Sequence, residues 1–232
     1  MASQSDKPPG QFGKEIISVQ NLTVQDKNKF QVVKNVSFSI REGEILAIAG
    51  VAGNGQVELA DAIAGLLPVA EGRIMLNGKD ITAYSIRKRT REGISYIPED
   101  RQRYGLILDF TLQDNLVLRN FDQKPFARRG VMDREKMEAF GEKLIQKYDI
   151  RSSRGIRTVV RSMSGGNQQK AIIARELEQE YCLVIFVHPT RGLDIGAIER
   201  IHQLILQERE KGKAILLISL ELEEIMNSSS SF

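Results

Sequence analysis

One stretch constrains the fold more than any other: "EILAIAGVAGNGQVELADAIAGLLP", Glu44 to Pro68. It opens with a short, wholly apolar run, the pattern of a strand buried on both faces in a parallel sheet. It closes with Val57, Leu59, Ala60, Ile63, Ala64 and Leu67 at the 3.6-residue spacing of an amphipathic helix, stopped by Pro68. Gly50, Gly53 and Gly55 lie between. A strand, a glycine turn and a helix in that order gather unpaired helix N–H groups at one spot, a common way for backbone to hold a phosphate. The lysine that completes such a turn is absent, and Gln56 stands in its place. The segment also reads as a plain strand-to-helix turn with no ligand. A dinucleotide-binding turn fits less well, because the glycine spacing differs.

A chain of 232 residues has room for one large α/β domain or two small ones. Its 33 basic and 30 acidic residues leave a net charge of +3, too balanced to argue for a nucleic-acid partner. A single cysteine, Cys182, excludes an internal disulfide framework and fits a reducing compartment. No apolar run approaches the ~20 residues of a membrane span. The opening "MASQSDKPPGQFGK" lacks the hydrophobic centre of a signal segment. Residues 1–14 read as a linker, and "NSSSSF" at Asn227–Phe232 as a low-complexity tail.

"EIISVQNLTV" and "FQVVKNVSFSI" alternate as strands do, "GRIMLNGKDI" reads as a hairpin arm, and "GISYIPED" gives a further strand. From about Tyr104 to Arg161 the pattern turns helical. "TLQDNLVLRNF" and "DREKMEAFGEKLIQKYDI" are amphipathic, with the basic loop "KPFARRG" between them. Its charges read as solvated, with an approach to anionic lipid as the alternative. "YCLVIFVHP" and "AILLIS" then return to strand, with the helix "IGAIERIHQLILQERE" between. His202, on that helix, reads as a surface or packing residue. The expectation is a mixed α/β sheet with antiparallel strands at its N-terminal side, one domain over 15–232, and a helical subdomain inserted at about 104–161.

The most specific segment is "SMSGGNQQKAIIARELEQEYCLVIFVHPTRGLD", Ser162 to Asp194. It resembles the signature helix, Walker B strand and D-loop of ABC-transporter ATPases, in their usual order and spacing. With "GVAGNGQ" and "YIPEDRQRYGL" upstream, the resemblance covers nearly the whole chain, from Glu15 to Asn227. It implies the P-loop ABC ATPase fold. Together these motifs resemble the second ATPase half of fused, two-domain subunits that drive bacterial importers of ribose-like sugars and nucleosides. "YIPEDR" followed by "GLILDF" leans toward the nucleoside branch. On that resemblance the chain is an excised C-terminal half, truncated one strand early.

The resemblance implies a nucleotide site at Gly50, Gly53, Asn54, Gly55, Gln56 and Val57, with Phe30, 26 residues before Gln56, placed to stack on adenine. A core phenylalanine is the other reading of Phe30. Several positions depart from the family pattern. Gln56 replaces the lysine, a loss of roughly 1.5–3 kcal/mol of charge-assisted contact. Val57 replaces the hydroxyl that would ligate Mg²⁺. Val187 and His188 replace the Walker B aspartate and glutamate, and Leu220 replaces the switch histidine. Glu99 sits where a neutral glutamine is expected. His188 reads either as a catalytic base or as a structural or nucleotide-edge residue, and the missing metal ligands argue against the first. No catalytic residue is intact, and no resident metal is expected.

The signature is unaltered. Ser164, Gly165, Gly166 and Gln168 are expected to act in trans on a triphosphate held by the opposite half, with Gly192, Leu193 and Asp194 of the D-loop crossing the same interface. Arg101 and Arg103 read as charged surface or as a contact for a membrane subunit. The resemblance thus implies an asymmetric half-cassette that uses ATP weakly or in trans, and Mg²⁺ only through its partner. Its partners would be an intact ABC half of the same polypeptide, transmembrane permease subunits and, indirectly, an extracytoplasmic solute-binding protein. It would work at the cytoplasmic face of the membrane and hydrolyse little ATP alone. A non-catalytic ABC-shaped scaffold and a soluble, non-transport ABC ATPase are the rival readings.

Overall fold

The computed structural model describes residues 2–4, 12–50, 53–128 and 130–219. They divide into two compact units. One comprises Met1–Glu99, Glu180–Arg191 and Ile198–Phe232, the other Asp100–Gln179 and Gly192–Ala197.

The first unit opens with β1 (Ala2–Gln4), β2 (Glu15–Gln25), β3 (Gln31–Arg41) and β4 (Ile45–Ile48), then α1 (Gln56–Ala64). It continues with β5 (Val69–Leu76), β6 (Lys79–Asp80), α2 (Ile86–Arg91) and β7 (Ile94–Ile97). In the second unit a π-helical turn at Arg101–Gly105 precedes α3 (Leu112–Leu116), β8 (Ala127–Arg128), β9 (Val131–Met132), α4 (Arg134–Lys147) and α5 (Gly165–Leu177). The chain returns through β10 (Leu183–Val187), α6 (Ile195–Glu210) and β11 (Ala214–Ile218).

Two sheets make the first unit. β4, β11, β10 and β7 run parallel, and every residue of β7, β10 and β11 is buried. That explains why these strands read as unbroken apolar runs. The second sheet, ordered β3-β2-β5-β6, is antiparallel and supplies Ile17, Val19, Leu22 and Ile74 to the same core. The mixed sheet with an antiparallel N-terminal part is as expected. The first residues differ from the linker reading: Ala2–Gln4 pairs antiparallel with β4, Ala2 beside Ile48 and Gln4 beside Leu46. A parallel strand with one open edge leaves a row of backbone donors and acceptors that such a segment satisfies.

α1 ends where Gly65 turns left-handed and its N–H reaches the carbonyls of Ala62 and Asp61. The buried Arg89 of α2 completes that end. Its guanidinium donates to the carbonyl oxygens of Ala62 (2.6 Å), Ile63 (2.8 Å), Thr82 (2.7 Å) and Tyr84 (3.0 Å). Burial pulls the Arg89 pKa below its ordinary value, yet a cation at a helix C-terminus is electrostatically favourable.

The second unit reaches beyond the expected 104–161 at both ends. α5 belongs to it, because α3 packs against both α4 and α5 and the apolar face of α5 is buried. The expected helix over "TLQDNLVLRNF" shrinks to Leu112–Leu116. The buried Asn115 turns its amide to the loop before it, accepting from the Ile107 N–H and donating to the Ile107 and Thr111 carbonyls. Arg119, beyond the helix, is drawn to the buried Glu176 (2.9 Å). Within the "KPFARRG" segment Ala127–Arg128 forms β8, paired with β9, and the buried Phe126 lies edge-on to Phe140 at 4.9 Å.

Candidate functional site

In the first unit the glycine turn delivers Gly55 in the left-handed region (φ 90°) as the N-cap of α1. Only glycine fits there, since a Cβ would collide with the Val32 carbonyl oxygen. Gly50 is tight for a different reason. A Cβ on it would strike the side-chain amide of Gln56, which folds back over the turn. Val57 packs against the hydrophobic core instead of facing the turn. A cavity of about 350 Å³ beside the turn touches Asn54, Gly55 and Gln56, but its other walls are mostly apolar, including Val36, Phe38 and Leu59. Phe30 precedes β3 and is 70% exposed, so the core reading of that ring is corrected.

The far ends of β7 and β10 carry the remaining substituted positions. Val187 is fully buried. His188 holds a left-handed backbone (φ 44°), its N–H donating to the Ile218 carbonyl at 2.8 Å and its own carbonyl accepting from the Arg191 N–H at 3.2 Å. The Glu99 carboxylate makes an ion pair with Arg191. Leu220 lies outside the described residues. This unit does not suit Mg²⁺ at its own turn. The side chains of Val57 and Val187 offer no oxygen, and the Gln56 amide lies against Gly50.

Sequence reasoning missed one pair here. Asp61, half-buried on α1, accepts a short hydrogen bond from the Tyr96 hydroxyl of β7. Burial raises the Asp61 pKa; the Tyr96 hydrogen bond opposes this, and the nearby Glu58 and Glu99 carboxylates add to it. The signal was present as an aspartate amid the apolar run "ELADAIA".

In the second unit Ser164 caps α5, its hydroxyl accepting from the Asn167 N–H (3.4 Å) and side-chain amide (2.9 Å). Gly165 and Gly166 form the first turn. The D-loop lies against them: Asp194 Oδ2 is 3.8 Å from where a Gly166 Cβ would sit, while Asp194 Oδ1 accepts from the Ala197 N–H at 2.9 Å. Arg101 is brought to the same place. Its guanidinium is 3.2 Å from the position of a Gly165 Cβ and 3.9 Å from that of Gly192. Gln168 is a correction to the expected outward-facing set. It is buried, its amide donating to the Val160 carbonyl at 3.0 Å, so it braces the helix from within. Arg103 stacks over the exposed Tyr104 at 5.1 Å. His202 is buried on α6, a packing residue.

Strand order, glycine turn and capped glycine helix define the ATP-binding-cassette fold, and solved cassettes share it. A nucleotide-free ATP-binding cassette from an ABC transporter superposes with a TM-score of 0.76 at 23% identity, covering 92% of this chain and 85% of that one. A dimeric bacterial ABC transporter cassette gives 0.76 at 23% identity, covering 91% and 90%. The ABC transporter family profile matches residues 33–191, and the chain belongs to that family. It is similar to the guanosine import ATP-binding protein NupO of Bacillus subtilis, 45% identical over 97% of this chain and 44% of that protein. It is also similar to the nucleoside import ATP-binding protein NupA of Lactococcus lactis, 42% identical over 97% and 44%, and to a ribose import ATP-binding protein, RbsA, of Bacillus cereus, 37% identical over 94% and 42%. The chain spans under half the length of these curated relatives. Among the described residues no helix is long and apolar enough to cross a membrane.

Proposed function

We propose that this chain is one ATP-binding half of a nucleoside importer, and that it works mainly by completing a partner half's nucleotide site. The observation carrying this reading is a contrast within one chain: Ser164, Gly165, Gly166 and Asp194 are assembled at a capped helix end, while before the other glycine-started helix the Gln56 amide lies against Gly50. The first arrangement suits the terminal phosphate of a nucleotide held opposite, where helix N–H groups and the positive end of a helix stabilise negative charge. The second suits neither Mg²⁺ nor a phosphate. Its own turn would hold ATP weakly, with Phe30 as the exposed ring for the base. Nucleosides are preferred to ribose because the two relatives named for nucleoside import, at 45% and 42% identity over 97% of the chain, exceed the ribose import relative at 37%, while a relative named for carbohydrate transport reaches 45% over 90%. On this reading its partners are an intact ABC half of the same polypeptide, permease subunits and, indirectly, a solute-binding protein, and it works at the cytoplasmic face of the membrane.

The test pairs the chain with an intact cassette as a single polypeptide and measures ATP hydrolysis. Gly165→Asp places a carboxylate at the helix end and is expected to abolish turnover, while the chain alone hydrolyses almost nothing. Unchanged turnover in G165D would leave a scaffold, and brisk hydrolysis by the isolated chain would defeat the reading outright.

A further inference from the structure

Glu99 and Arg191 stand at the two points where the chain leaves the first unit: Glu99 before it passes to Asp100, Arg191 before it passes to Gly192. β7 and β10 are parallel neighbours, with Ile97 beside Phe186, so both exits leave the same end of the sheet. There the two side chains meet in an ion pair. Arg191 is also held by its backbone, through the turn to the His188 carbonyl at 3.2 Å. His188 sits in a left-handed conformation that is uncommon for a residue with a side chain and is kept only where surroundings enforce it. On its other side Glu99 lies near the carboxylate of Asp61. Arg191 thus supplies a cation where two acids approach each other.

We propose that the Glu99–Arg191 pair is a strap across these exits, and that both are positioning residues fixing where the chain departs into Gly192–Asp194. A carboxylate at position 99, where the family pattern expects a neutral amide, is then accounted for by its arginine and not by a metal. An exposed ion pair adds little to global stability, and Arg191 is 73% exposed, so the effect is local. The consequence for catalysis rests on the reading that Gly192–Asp194 completes a partner's site.

The experiment compares Glu99→Gln, Arg191→Gln and the reversal Glu99→Arg with Arg191→Glu. Two readouts are taken: hydrogen exchange of amides 99–105 and of amides 188 and 190–195, and hydrolysis in the fused pair with an intact cassette. Each single variant is expected to speed exchange in both segments roughly two- to fivefold, the range an exposed pair commands. Turnover falls by a similar factor at unchanged KM, and the reversal restores both. Exchange that ignores the single variants, or is not rescued by reversal, overturns the strap. Rescued exchange with flat turnover, while G165D still abolishes hydrolysis, overturns the positioning role. Turnover indifferent to G165D overturns instead the trans reading, and the strap is then decided by exchange alone.

Discussion

The chain holds two glycine-rich helix starts that differ in what fills them. At α1 the cap is Gly55, the next residue is Gln56, and its long amide folds onto Gly50. At α5 the cap is Ser164, whose short hydroxyl turns inward to Asn167, and the next two residues have no side chains at all. Both helices turn the positive end of their dipole and their first N–H groups toward the turn before them. A helix start serves a ligand only if its own side chains leave the place clear.

The sharpest way to break this comparison is Gly165→Asp, which gives α5 the obstruction that α1 already has. In the fused pair its turnover is expected to fall on the order of 10²–10³-fold, as when a donor to developing negative charge is removed. Next in size is Arg89→Met. It removes the guanidinium donor shared by the Ala62 and Ile63 carbonyls at the end of α1, and should lower unfolding free energy by about 2–3 kcal/mol in a urea titration. A loss under ~0.5 kcal/mol would show that α1 does not depend on that cap. Gln56→Lys works from the other side by restoring the missing cation. Binding of a fluorescent ATP analogue should tighten about tenfold or more. Parent and variant binding alike would mean the amide is no obstacle.

The smallest effect concerns Asp61. Its pKa is raised in the folded protein, so the native state holds more protons than the unfolded chain just above the ordinary carboxylate value of 3.8. Stability therefore falls as pH rises from about 3.8 toward the folded value, and the penalty persists at neutral pH. Asp61→Asn removes the charge while keeping an acceptor for Tyr96. Its denaturation midpoint should exceed the parent's at pH 7 and converge with it near pH 3. Equal midpoints at both pH values would contradict the shift.

Much of this was legible in the sequence because strands buried on both faces are apolar without interruption: Leu183–Val187 and Ala214–Ile218 announce themselves. The start of α5 was equally plain, since serine caps a helix and the glycines after it leave its first turn bare. Distant partners were hidden. Nothing in "RKRTRE" says that Arg89 turns inward to the end of α1, and nothing in "PED" or "PTRG" says that Glu99 and Arg191 meet. Gln168 misled because its neighbours Gly165 and Gly166 lie at the open end, while one more turn of helix carries it into the interior. The helix over "TLQDNLVLRNF" was overdrawn for a related reason: Asn115 and Arg119 spend their polar atoms on tertiary contacts that stop it early.

The buried guanidinium of Arg89 has a consequence for how such a turn outlives its ligand. A helix that begins at a phosphate ordinarily leans on that anion to balance its polarity. Here the balance is struck at the opposite terminus, by a cation carried on the neighbouring helix α2. The element keeps its form whether or not anything negative ever arrives, and so substitutions at the turn escape the structural penalty that would otherwise have preserved it.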